Sequence, residues 1–276
     1  MSEVGYCLYG FYKKGEKPLQ LFCGLDGSCL LETISFNDSS DLACIVSKVP
    51  LEEFGEDKLQ ENLQDIKWLE KNIRAYDEIT CKLFEQTTFI PVRFGTIYLT
   101  EERILKSLEN YSDQVRQLIE TLGGKLELGV KFFIDSKILH DKLLTSDEEG
   151  RELNTKIQSE TPGKGHFLKK KLDALLENKI QAWVNEVSKE LFESLKSLSN
   201  NIHLLGCQPS ETSKKMFFNA ACLLPSSSVD WFKGMIKDIL SREKLSSIEC
   251  EITGPWPPYS FVNLQNQKLE KEFLDV

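Results

Sequence analysis

The sequence predicts an α+β protein of two domains, residues 1–122 and 123–276. Each is expected to resemble a ferredoxin-like βαββαβ arrangement, the first in modified form. Three observations carry this. Short runs rich in Tyr, Phe, Val and Ile recur between turn residues. Two long segments, 58–86 and 165–198, carry apolar residues at steps of three and four, the mark of amphipathic helices. The pair Gly123-Gly124 divides the chain into halves with similar element order.

In the first half, 5–11 reads as a strand and Lys13-Lys-Gly-Glu-Lys17 as a polar turn. Gly24-Leu-Asp-Gly27 is turn chemistry. The runs 30–36 and 42–46, joined by Asn37-Asp-Ser-Ser40, form a hairpin that Pro50 ends. No Gly or Pro interrupts 58–86, where Leu59, Leu63, Ile66, Leu69, Ile73, Tyr76, Ile79 and Leu83 mark one face of a single long helix. A short strand follows at 89–95, and Pro91 in it implies an edge or a strand start. Thr100 supplies an N-cap hydroxyl, and Glu101 and Glu102 suit the positive end of a helix that runs to about 122.

In the second half, 126–134 alternates apolar and polar residues, as a half-buried strand does. Residues 136–163 are charged, and read as a helical excursion or a loop. The long helix 165–198 follows, then strands at 202–207 and 216–224, a helix at 229–242 and a last strand at 248–253. That order is the split βαβ arrangement. The residues after Val262 read as a polar tail.

Composition narrows the function. Apolar residues make up 41%, enough for packed cores, and the net charge of −9 argues against a nucleic-acid binder, which needs a basic face. No apolar run is long enough to span a membrane. The opening Met-Ser-Glu-Val-Gly-Tyr lacks the pattern of a signal peptide. Eight scattered cysteines without a Cys-x-x-Cys read as small buried hydrophobes in a reducing cytoplasm. Three separated histidines, His140, His166 and His203, do not suggest a metal site. No catalytic residue and no cofactor is expected.

Three features stand out as candidate structural or interaction sites. Arg93, beside Phe94, is a charge on an apolar strand that could meet an anionic ligand, pair with an acid or lie along the sheet. Lys164, Lys169, Lys170 and Lys171 crowd the start of a helix, where cations oppose the macrodipole. They either meet acidic partners, such as Asp147-Glu-Glu149 or another protein, or stand in solvent. Gly254-Pro-Trp-Pro-Pro-Tyr-Ser-Phe-Val262 is stiffened by its prolines. It presents Trp256, Tyr259 and Phe261, either as a plug that closes a core or as a docking surface. The plug is the favoured reading, with Trp256→Ala then destabilising the second domain first.

Several strings together resemble the gas vesicle protein GvpF/GvpL family. They are Tyr6-Cys-Leu-Tyr-Gly10, Asp41-Leu-Ala-Cys-Ile-Val-Ser47, Trp68-Leu-Glu70, Pro91-Val-Arg-Phe-Gly-Thr96, Glu127-Leu-Gly-Val-Lys131, Pro162-Gly-Lys-Gly-His-Phe-Leu168 and Gly254-Pro-Trp-Pro-Pro-Tyr-Ser-Phe261. One departure is Tyr76, where many members carry His. The resemblance implies two α+β domains and a minor structural or accessory protein of gas vesicles, the protein-walled buoyancy organelles. It implies a role in their assembly, contact with the small hydrophobic shell protein and other accessory proteins, and a cytoplasmic place on the vesicle. No catalytic residue comes with it. The competing reading is a sensor or enzyme for a small anion or nucleotide on a tandem ferredoxin-like scaffold.

Overall fold

A computed structural model describes residues 3–15, 19–27, 29–35, 41–199, 201–208, 213–242, 245 and 247–262. The connection 37–40 and the tail after Val262, both given a reading above, lie outside the described residues. The protein mixes helices with two sheets. By contact it forms two compact units: Met1–Glu127 together with Pro255–Val276, and Leu128–Gly254.

The first unit is built on β1 (Val4–Lys13), β2 (Glu32–Ser35) and β3 (Leu42–Pro50). Short helices α1 (Leu51–Phe54) and α2 (Glu56–Asn62) precede α3 (Ile66–Gln86), followed by β4 (Phe89–Pro91), β5 (Ile97–Tyr98) and α4 (Glu101–Leu122). The strand order is β2-β3-β1-β4, with β5 also on β1. β1 is antiparallel to β3 and to β4. Pro91 therefore sits on an edge strand, where its missing N–H costs no ladder bond. The expected hairpin forms, with Glu32 opposite Val46 and Ser35 opposite Ala43.

Between β1 and β2 the chain makes a turn, with Gly27 at φ 71° and the Cys29 amide donating to Asp26 Oδ1 at 3.1 Å. The register of β1 against β3 slips between Leu8 and Gly10, which makes Tyr9 the extra residue of a bulge. Gly10 is required there: a Cβ would lie 2.3 Å from the Ile90 carbonyl oxygen.

The single helix expected over 58–86 is two helices. Asp65 ends the run by capping α3, accepting from the amides of Lys67 (2.9 Å) and Trp68 (3.4 Å). The buried stripe of α3 is Asn72, Tyr76, Ile79, Thr80 and Leu83, so two polar residues join it, while Leu63, Ile66 and Ile73 lie exposed. α4 begins and ends as expected: Thr100 Oγ1 accepts from the Arg103 amide, and Gly124 follows the helix at φ 69°.

The second unit holds β6 (Lys125–Asp135, most of its length), α5 (Ser136–Ser146), α6 (Glu148–Ser159) and α7 (Pro162–Leu198). β7 (Asn201–Leu204), β8 (Lys214–Pro225), α8 (Val229–Leu240) and β9 (Ile248–Trp256, as far as Gly254) complete it. Its strand order is β7-β8-β6-β9. Numbered within each unit, both sheets run second–third–first–fourth.

The charged stretch 136–163 is helical, because Asp135 and Asp147 each cap a helix by accepting from the amides of Lys137 and Gly150. α5, α6 and the start of α7 bury Leu153, Leu172 and Leu176 together. α7 starts at Pro162, three residues before the start expected at 165.

The expected division at 122/123 places both the start of β6 and the Pro/Trp segment in the second domain. Both belong to the first unit instead. The physical reason is a set of side-chain bonds that ties Ser260 and Tyr259 to residues of that unit.

Candidate interaction site

The first unit centres on Tyr76. Its ring stacks on Tyr9 at 5.1 Å and meets the edge of Phe94 at 5.5 Å; Trp68 lies 6.1 Å from Phe94 and 5.4 Å from Phe54. The Tyr76 hydroxyl has one proton to give and three backbone carbonyls around it: Val92 at 3.0 Å, Leu8 at 3.2 Å and Tyr9 at 3.3 Å. It knits α3 to β1 at the bulge and to the end of β4. Tyr9 exchanges a hydrogen bond with Ser47 at 2.9 Å and accepts from the Leu25 amide at 2.8 Å. Burial raises the phenols of Tyr9 and Tyr76, and it pushes the Cys7 thiol up to about 12.

On the next turn of α3 the chain's last described segment docks. Tyr259–Phe261 forms one 3-10 turn. The Tyr259 hydroxyl meets Thr80 Oγ1 and donates to Asp77 Oδ1 at 3.2 Å. Thr80 also donates back to the carbonyls of Tyr76 (3.0 Å) and Asp77 (3.1 Å). Desolvation raises the pKa of Asp77, opposed by the Tyr259 hydrogen bond, and burial raises the Tyr259 phenol.

One residue on, Ser260 uses both of its donors on one carboxylate. Its amide reaches Glu127 Oε2 at 2.8 Å, and its hydroxyl reaches Oε1 at 2.8 Å. Glu127 is 7% exposed, so a buried charge is held by charge-assisted bonds of good length. Pro257 and Pro258, just before this turn, are buried.

The sequence-predicted residues differ in burial and setting. Phe94 and Tyr259 lie against the same helix, one on Tyr76 and the other on Asp77 and Thr80. Phe261 is half-buried in the 3-10 turn, and Trp256 is 39% exposed at the end of β9. Arg93 is exposed in the turn after β4, where its carbonyl accepts from Thr96 Oγ1 at 2.7 Å. Lys164 belongs to the other unit, exposed on α7 and 3.8 Å from Glu160.

Asp147, one of the acids offered above as a partner for the lysine cluster, pairs with Lys179. Lys169, Lys170 and Lys171 make no ion pair among the described residues. Glu127, Asp77 and Thr80 went unforeseen. The one available signal was that Glu127 opens a string quoted for the family resemblance.

The cysteines are not joined in disulfides. Cys7, Cys44 and Cys222 are buried, whereas Cys23 and Cys207 are exposed and Cys250 is only half-buried. Among the described residues no group of three His, Cys, Asp or Glu is placed to hold a metal ion, and no helix is long and apolar enough to cross a membrane.

Comparison with known proteins places this arrangement. The family described as "Gas vesicle synthesis protein GvpL/GvpF" matches residues 5–263. The chain is 22% identical over 237 residues to "Gas vesicle protein L" of a Streptomyces species, covering 84% of each. It is 24% identical over 209 residues to "Gas vesicle protein L1" of Halobacterium salinarum, covering 73% of this chain and 72% of the relative. The crystal structure of the gas vesicle protein GvpF from Anabaena sp. PCC7120 superposes with a TM-score of 0.71 at 20% identity, over 95% of this chain and 98% of that one. GvpF from Microcystis aeruginosa gives 0.63 at 17% identity, over 93% and 98%. The fold is shared with these structures, and the chain belongs to the GvpL/GvpF family of gas vesicle proteins.

Proposed function

We propose that the chain is a non-enzymatic accessory protein of gas vesicle assembly. It acts at nucleation by binding the small hydrophobic shell protein and limiting its aggregation, in the cytoplasm and in association with the vesicle and its other accessory proteins. The observation that carries this reading is the family match over residues 5–263. The surface of the first unit is consistent with it. Ile66 is 79% exposed, and Leu63, in the turn after α2, and Ile73 on α3 are exposed as well. Ile66 and Ile73, one heptad apart, share a helix face. An apolar shell protein would cover such side chains. Trp256 and Arg93 are further exposed groups that we assign to contact, while Phe94, Tyr259 and Phe261 are assigned to structure.

The test is co-expression of the shell protein with and without this chain, followed by sedimentation. The reading predicts more soluble shell protein in the presence of the chain, and a loss of that gain for Ile66→Glu/Ile73→Glu. Equal sedimentation in all three cases would remove the proposal.

We also read each unit as ferredoxin-like. The support is the shared strand order and, in the second unit, the element sequence strand, helices, two strands, helix, strand. In the first unit the described residues between β1 and β2 form turns and an isolated bridge, Cys23 to Leu30, where a ferredoxin-like unit has its first helix.

A further inference from the structure

The start of α7 presents a face that the shell-protein reading does not use. Phe167 is 71% exposed there. On a helix, residues three and four positions apart are neighbours, so Lys164, Lys170 and Lys171 flank Phe167, while Lys169, two positions on, lies toward the other side. All four lysines are exposed.

Elsewhere in the chain helical lysines find acids at this spacing: Lys58 with Glu61 at 2.6 Å, and Lys156 with Glu152 at 3.6 Å. Lys169, Lys170 and Lys171 do not, although acids are plentiful on a chain of net charge −9. Lys164 stands in the first turn, where the helix dipole opposes a cation, and lies near Glu160; Asp173 is the one acid at helical spacing from Lys169 and Lys170, and forms no ion pair with them among the described residues.

We propose that this face docks an acidic protein segment, an amphipathic helix whose carboxylates meet the lysines and whose apolar side chain covers Phe167. Charge complementarity selects the partner. An anionic lipid surface fits less well, because a helix lying in a membrane interface needs a continuous apolar face. Here the next positions along the Phe167 face are Ala174 and Asn178.

The test uses the full chain and a fluorescein-labelled synthetic peptide of repeating Glu-Glu-Leu-Leu, with a Gln-Gln-Leu-Leu counterpart, read by fluorescence anisotropy. The acidic peptide is expected to bind, more weakly as salt rises, and the Gln peptide is not. Changing Lys164, Lys170 and Lys171 together to Gln should weaken binding about tenfold or more, and Phe167→Ala should weaken it at every salt concentration. The matched set Lys67→Gln, Lys71→Gln and Lys106→Gln, on exposed helical lysines of the first unit, should leave binding unchanged. Circular dichroism melts confirm that each variant is folded. Equal binding of the two peptides, equal weakening by the matched set, or capture of the chain by phosphatidylglycerol vesicles in place of the peptide would each overturn the proposal.

Discussion

Replacing Glu127 by Ala removes the acceptor of both Ser260 bonds, each 2.8 Å long. A hydrogen bond to a charged group contributes about 1.5–3 kcal/mol. The two together therefore hold the terminal turn by several kcal/mol, less what water recovers. The loss is local, because the turn is also anchored by Tyr259. The first readout is thus hydrogen exchange at the Ser260 amide, which should quicken about tenfold for every ~1.4 kcal/mol lost.

Ser260→Ala removes only the hydroxyl bond and should have a smaller effect. The double variant should cost no more than Glu127→Ala, a coupling of about 1.5 kcal/mol or more. Glu127→Gln is the milder change. Its amide oxygen can accept from the Ser260 amide while its NH2 donates to the hydroxyl, so only the charge assistance goes. Unchanged exchange at Ser260 in Glu127→Ala, or additive single effects, would refute the claim that this carboxylate fastens the segment.

Four other outcomes follow from the same geometry. Tyr76→Phe should lower stability by about 1–3 kcal/mol, since it removes a buried donor shared among the carbonyls of Leu8, Tyr9 and Val92; a denaturation curve with an unchanged midpoint counts against this. Tyr259→Phe should loosen the terminal turn by about 1 kcal/mol, visible as earlier proteolysis there. Trp256→Ala, with a ring 39% exposed, should cost less stability than Tyr259→Ala, and melts of the two variants decide it. Acidity should act oppositely at two aspartates. Asp77 is raised by desolvation, so its contribution is full below the ordinary aspartate range near pH ~4 and is lost as pH rises through its raised value. Asp147 is lowered, first by Lys179, so its contribution is present above that range and is lost on acidification. Asp77→Asn should flatten the first dependence and Asp147→Asn the second, as measured by melts across pH.

Much of the fold was legible from local chemistry. Thr100 with its following acids, the Gly123-Gly124 stop, the alternation of β6 and the apolar spacing of α7 all express local preferences that tertiary structure leaves in place. The break at Asp65 was not legible, because Leu63 and Ile66 on either side keep helical spacing while pointing to solvent. Asp135 and Asp147 were cap signals within a stretch whose charge suggested a loop as readily as helices.

The site was less visible than the fold. Glu127 occupies an outward-phase position of an alternating strand, where an acid reads as solvated, and its partner Ser260 is 133 residues away. Asn72 and Thr80 fall within the buried stripe of α3 because each bonds a carbonyl one turn back, which spacing cannot reveal. The stiff Pro/Trp segment was rightly noticed as unusual. Its destination was misplaced, since an unbroken run from the last strand gives no sign that it belongs with the first unit.

The most direct test of the account is to delete the gene from its own host and count gas vesicles by electron microscopy, with complementation by the intact chain. The account predicts few or no vesicles in the deletion strain, insoluble shell protein in the lysate, and recovery on complementation. Normal vesicles in normal number, in a strain without a second family member, would contradict it.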